Sequence, residues 1–355
     1  MSRSVNDAPP ESDAFPGAPH PRLATQLIGH AVAEAAMLTA YRDGRLAHAW
    51  LIGGREGIGK ATLAWRFARF VLAHPDPKTA AVQSASDLFV AAEHPAARQL
   101  AALAHPDFAL ARREWNAKSK GFYSEIRVED VRDALSMFHM SAAFGGWRVA
   151  IVDCADELNP AGANALLKMI EEPPPRALIL VIAHQPGRVL PTIRSRCRRL
   201  LLERLTAAEI EATIDSLGPP WDAIDPARRA QAAARADGSA REALRRLDPD
   251  ALELGALIDA AIGQLPHADP RMVHRLADAV ADRSAGDSFA ALNAALCEWL
   301  AMRARSADSA AARRTLAELW DRLRAATRET EALNLDKRLH VLAAFEDIAA
   351  QSRRL

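Results

Sequence analysis

The feature that most constrains this chain is Gly54-Arg55-Glu56-Gly57-Ile58-Gly59-Lys60, which fits G-x-x-x-x-G-K. It follows a short apolar run, His48-Ala49-Trp50-Leu51-Ile52, and precedes a segment in which Phe67, Phe70 and Val71 continue a helix. A strand, a glycine-rich turn and a helix in that order make a phosphate cradle. The glycines let backbone N–H groups turn inward, the helix N-terminus adds positive potential, and Lys60 reaches the outer phosphates. Gly54, Gly57, Gly59 and Lys60 are therefore the candidate nucleotide-binding residues. Trp147 to Val152 (WRVAIV) and Ala177 to Ala183 (ALILVIA) supply two more apolar runs of strand length. Strands alternating with amphipathic segments predict an α/β P-loop domain with a parallel sheet covered on both faces.

The cradle departs from the usual pattern twice. After Lys60, a Ser or Thr hydroxyl normally meets magnesium, and this chain has Ala61. Thr62 comes one residue later, and one step along a helix rotates a side chain by about 100°. Thr62 stays within the candidate nucleotide site, but its hydroxyl points away from the metal position. At the end of the WRVAIV run, Asp153-Cys154-Ala155-Asp156 takes the place of the acidic Walker B segment. Asp153 can hold magnesium through water. Cys154 stands where a Glu would orient the attacking water, and a thiol of pKa about 8.5 is no substitute for a carboxylate at neutral pH. Asp156, three residues on, is expected to face elsewhere. Two separate chemical parts are missing, which predicts little or no hydrolysis.

Around this core the chain divides by composition. Residues 1–21 are rich in Pro, Ser, Asp and Ala and read as a disordered tail. Residues 22–205 form the P-loop domain, broken by an irregular insertion at 74–107 that contains His, Pro, Gln and Ala without a clean period. Thr206-Ala207-Ala208-Glu209 is a capping-box pattern that opens a helical lid over 206–247. Residues 248–355 are Ala-, Leu- and Arg-rich with apolar positions at helical spacing, Leu316, Leu319, Trp320 and Leu323, then Leu335, Leu339 and Leu342. They predict an all-α collar. Those stripes read first as internal core; a face toward another subunit is the second reading.

Lys plus Arg and Asp plus Glu cancel at 45 each. A protein that held DNA alone would carry a basic excess, because phosphate neutralisation supplies most non-specific affinity. Protein partners are the larger expectation. Cys154, Cys197 and Cys297 are scattered and odd in number, which suits reduced thiols in the cytoplasm rather than a disulfide framework. No apolar run nears the ~20 residues of a membrane span, and no signal-peptide order opens the chain.

Two longer motifs are more specific than the cradle. Asn164-Ala165-Leu166-Leu167-Lys168-Met169-Ile170-Glu171-Glu172-Pro173-Pro174 and Leu190-Pro191-Thr192-Ile193-Arg194-Ser195-Arg196-Cys197 resemble segments of the delta-prime family of bacterial DNA polymerase III clamp loaders, within the AAA+ superfamily. The likeness runs from about residue 27 to 246, with a weaker echo near Asn334-Leu335-Asp336. It implies that Arg196 is a trans-acting arginine finger, reaching the γ-phosphate in a neighbour's site, a task suited to a permanently charged fork of donors. It also implies that Gly238-Ser239-Ala240-Arg241-Glu242-Ala243-Leu244 is the sensor-2 motif, with Arg241 approaching nucleotide in this subunit's own site. ATP or ADP, bound weakly or without hydrolysis, is the implied cofactor. Many relatives carry a four-Cys zinc module after the first helix. Residues 74–107 hold no cysteine, and His74, His94 and His105 lack the spacing of a structural zinc site, so no zinc is expected.

The resemblance implies a non-hydrolysing member of a hetero-oligomeric ring with motor subunits and delta, acting on a sliding clamp and primer-template DNA. An active motor subunit of the same loader, or a related AAA+ ATPase, is the alternative, opposed by Ala61 and Cys154. A free-standing DNA-binding protein fits the neutral charge poorly.

Overall fold

The computed structural model describes residues 10–118, 121–281, 288–307, 309–333 and 335–352. The chain divides into two compact units, one ending at Leu244 and the next starting at Arg245.

The first unit opens with α1 (Ala31–Arg42), β1 (Ala49–Gly53) and α2 (Lys60–Ala73). Two short helices, α3 (Ala80–Ser84) and α4 (Pro95–Ala101), lead to β2 (Phe108–Ala111) and to a small hairpin of β3 (Trp115–Asn116) and β4 (Gly121–Phe122). Then come α5 (Val128–Ser136), β5 (Arg148–Val152), α6 (Pro160–Glu171), β6 (Ala177–Ala183), α7 (Pro191–Arg196) and β7 (Arg198–Leu201). The lid follows as α8 (Ala207–Ser216), α9 (Pro226–Arg235) and α10 (Ala240–Leu247), the division between units falling inside α10.

Five strands pair in parallel in the order β2-β5-β6-β1-β7. The register places Leu51 beside Val181 and Ala150 beside Ile179. Successive side chains leave opposite faces of a strand, so each run feeds two cores. Trp50, Ile52, Val149, Ile151, Leu178 and Leu180 meet α1 and α2 on one face. Ala49, Leu51, Ala150, Val152, Ile179 and Val181 meet α5, α6 and α7 on the other. Burial on both faces is why these strands read as continuous apolar runs rather than alternating ones. The topology carries the carboxyl ends of β1, β2, β5 and β6 to one edge. The α/β P-loop class with a helical lid and an all-α C-terminal part is thus the observed one.

The insertion at 74–107 is more regular than its composition suggests. It folds α3 and α4 onto the α1–α2 face through Val82, Leu88, Val90, Ala97 and Leu100. Single apolar residues in two very short helices show no period to a sequence reading, yet each finds the core. A buried ion pair, Arg66 to Glu34 at 2.7 Å, anchors them, with the Leu88 N–H donating to the same carboxylate at 3.2 Å.

Residues 10–21 differ from the loose tail that composition predicts. Asp13 pairs with Arg112 at 2.5 Å and with His20 at 3.0 Å, and Glu11 pairs with Arg22 at 2.6 Å. The polar residues that argue for disorder are ordered by pairing with His20 and Arg22 nearby and with Arg112 far along the chain, which composition does not register. Residues 1–9 lie outside the described residues.

The second unit holds α11 (Pro249–Gly263), α12 (Pro270–Ala281), α13 (Ser288–Arg305), α14 (Ala310–Ala332) and α15 (Lys337–Ser352). Its core gathers Leu276, Leu292, Leu296, Leu300, Leu316, Leu319, Leu323, Val341, Phe345 and Ile348. The stripe Leu316-Leu319-Leu323 lies inside, with Trp320 partly buried against it. Leu335 and Leu339 are exposed, at 48% and 60%, and do not continue it. Since α15 begins at Lys337, the inward positions are Val341, Phe345 and Ile348, four and three residues apart. Asn334, within the weaker echo of the family, lies outside the described residues. No helix among the described residues is long and apolar enough to cross a membrane.

Candidate functional site

Gly54, Gly57 and Gly59 all take positive φ, and α2 begins at Lys60, as the motif requires. Gly57 (φ +75°) has a second reason to be glycine: an added Cβ would lie 2.3 Å from Arg241 Cβ and 2.5 Å from Ser239 Oγ. The lid rests directly on the cradle. The Ala240 N–H donates to Gly57 O at 2.9 Å, and Ser239 Oγ donates to Glu56 O at 2.8 Å.

Lys60 is 3% exposed, and its Nζ donates to Gly54 O at 2.7 Å and to Arg55 O. Burial brings its pKa down to about 8, against the pull of Asp153, Cys154 and Asp156. Asp153 closes β5 and is also buried; its N–H donates to Ala111 O at 2.9 Å. Burial and the nearby charge of Asp13 push its carboxyl up to about 7, while Lys60 and Arg112 oppose the rise. Lysine and carboxylate thus share the carboxyl edge, each with its charged form weakened by desolvation.

Cys154 adopts the left-handed conformation, φ 63° and ψ 57°, uncommon outside glycine. Its Sγ lies 3.3 Å from His184 Nε2 and 3.8 Å from Asp153 Oδ1. Burial and the charge of Asp153 raise the thiol well above its ordinary value. Burial and Lys60 take His184 down to about 4. Both partners are neutral at pH 7, so the pair shares a hydrogen bond and brings no carboxylate. His184 escaped the sequence reading. It directly follows β6, and that position, the end of a buried strand in a P-loop sheet, was the available signal. Its Nδ1 is buried without a hydrogen-bond partner among the described residues.

Asp156 accepts the backbone N–H groups of His184 and Gln185 at 3.0 and 3.1 Å. It ties the loop after β5 to the loop after β6 and does not join Asp153. Ala61 and Thr62 are both half-buried at the start of α2.

Arg241 joins the group by another route. Its Nε lies 3.1 Å from Glu56 Oε1, its Nη2 donates to Ala14 O at 3.2 Å, and its guanidinium sits 5.5 Å from the centre of the Phe15 ring. Arg196 does not join. It ends α7, with its side chain 43% exposed, and pairs with Glu171 at 3.0 Å. Its Nη1 donates to Thr192 O of its own helix at 3.2 Å.

The residues suit a phosphate in kind: inward-turned glycine backbone, Lys60, Arg241 and an unsatisfied imidazole nitrogen. They do not suit a hydrolytic magnesium centre, because Ala61 brings no oxygen and Cys154 no carboxylate. Among the described residues no group of three or more His, Cys, Asp or Glu side chains is placed to hold a metal ion.

The family described as DNA polymerase III, delta subunit, matches residues 29–206. DNA polymerase III subunit delta' of Pseudomonas aeruginosa is 38% identical over 151 residues, 42% of each chain. Subunit delta' of Escherichia coli K12 is 31% identical over 164 residues, 46% of this chain and 44% of the relative. Subunit gamma/tau of Mycobacterium tuberculosis H37Rv is 28% identical over 283 residues, 78% of this chain and 46% of the relative. The matched stretches thus span less than half the length of these relatives. Among solved structures, the RuvB Holliday junction branch migration motor of Thermotoga maritima covers 79% of each chain at 18% identity and a TM-score of 0.42. With its family match running from just before α1 to the start of the lid, the chain belongs to the DNA polymerase III delta subunit family and is a delta-prime-like member of it.

Proposed function

We propose that the chain is a non-hydrolysing subunit of a bacterial clamp loader, organising a ring of subunits and supplying Arg196 to a neighbour's ATPase site. In that ring, motor subunits and delta would act with it to place a sliding clamp on primed DNA. The observation that carries the reading is Cys154. Where hydrolysis needs a carboxylate beside Asp153, there is a neutral thiol hydrogen-bonded to a neutral imidazole. Arg196 offers the complementary support. Its ion pair with Glu171 is solvent-exposed, and such pairs contribute only about 0–1 kcal/mol. The guanidinium is therefore free to exchange that partner for an anion on another chain, where its fork matches phosphate oxygens.

The longer likeness to gamma/tau supports a second reading, an ATP-hydrolysing motor subunit. ATP turnover separates the two. The lone chain should be inert, and Arg196→Ala should slow hydrolysis at the one neighbouring site by roughly 10³-fold, the usual scale for a trans arginine, lowering turnover of the reconstituted complex by that site's share without dissolving it. Turnover by the lone chain, or a complex indifferent to Arg196→Ala, would refute the proposal.

A further inference from the structure

The segment before α1 runs across this chain's own cradle. At its root, Arg69 of α2 donates to Ala24 O at 2.9 Å and to Arg22 O, and Arg66 donates to Thr25 O. Arg22 Nε donates to Ala101 O at 3.0 Å, fixing the root against α4. At its other end, Asp13 and Glu11 meet Arg112, which directly follows β2 at the carboxyl edge. Asp13 has a side chain only 4% exposed, near enough to Asp153 for its charge to raise that carboxyl. In the middle, Phe15 lies 6.0 Å from the Trp221 ring of the lid, and Gly17 O accepts the Trp221 Nε1–H at 2.8 Å. Between these points Ala14 O and the Phe15 ring engage Arg241.

We propose that residues 10–23 form a strap that latches the lid onto the cradle through Arg241 and competes with nucleotide for this chain's own site. Three contacts converge on that reading. Arg241, a lid side chain beside the cradle, is engaged by strap and P-loop atoms. Lys60, the cradle's cation, is turned onto its own loop. The strap brings two carboxylates to the carboxyl edge, where a phosphate would add like charge beside Asp153. A nucleotide must therefore displace the strap to gain Arg241, and its apparent affinity falls by the fraction of molecules in which the strap is open. The proposal concerns this chain's own pocket and is independent of what Arg196 does for a neighbour.

The test is titration of the full-length chain with the fluorescent nucleotide mant-ADP. Phe15→Ala removes the ring between Arg241 and Trp221; the pair Glu11→Gln and Asp13→Asn weakens the carboxylate grip on Arg112. Each should bind about tenfold more tightly than wild type, and adding Lys60→Ala to Phe15→Ala should abolish the gain. Hydrogen exchange on the wild-type chain gives a reading without substitution: excess mant-ADP should speed exchange in residues 10–23. Strap variants that bind no better than wild type, a gain that survives Lys60→Ala, or strap exchange unmoved by nucleotide would each overturn the proposal.

Discussion

Two residue identities depart from the usual P-loop pattern, Ala61 and Cys154, and both were legible without coordinates. What the sequence could not convey was how the gap is filled. Cys154 sits in left-handed backbone against His184, a residue some thirty positions away that comes beside it only because β5 and β6 are adjacent strands. Replacing Cys154 with Glu alone should therefore leave ATP turnover by the isolated chain at background. The new carboxylate would enter a buried pocket beside Asp153, where desolvation and like charge both favour its protonated form. A gain of tenfold or more in a sensitive phosphate-release assay would show that the thiol was the only missing part.

At the scale of elements, periodicity served well where burial was strong and failed where it was shared. The runs at β1, β5 and β6 are buried on both faces, so strand and sheet followed from composition. The insertion holding α3 and α4 was opaque, because a five- or seven-residue helix shows too few turns to display a period. The Leu335–Leu339 stripe misled for the opposite reason, since apolar spacing continued past the point where the helix changed. In the second unit, α13, α14 and α15 share a polar group within their apolar packing. His340 Nε2 lies 2.9 Å from Asn293 Oδ1, which accepts from Thr327 Oγ1 at 2.9 Å. Burial lowers the pKa of His340 below its ordinary 6.5. The unfolded chain then binds the proton more readily, so the stability is present above pH 6.5 and is lost as pH falls through the folded value. The thermal transition of the second unit should drop between pH 7.5 and 5, and the drop should shrink in His340→Gln. A pH-independent transition would count against this network.

At the scale of the whole molecule, the two units bury separate cores that share no residue. Leu296→Ala should cost the second unit about 2–5 kcal/mol, as for other buried leucines, and leave the unfolding of the first unit in place. Calorimetry of the full chain reads both transitions, and a matched fall in the first would disprove that independence. The broad division was readable from the point where strands give way to Ala- and Leu-rich helices, but the order of residues 10–21 was not, because the pairing of Glu11 and Asp13 with Arg112, a hundred positions away, leaves no local trace. The neutral pairing of Cys154 with His184 also bears on how such a chain changes over generations. On the proposed non-hydrolysing reading, a single change of Cys154 to a carboxylate would yield no activity while Ala61 remains, and would disturb the contact with His184 on the way. Under that proposal the first step back would bring no gain for selection to act on, and the buried contact itself would hold the thiol in place.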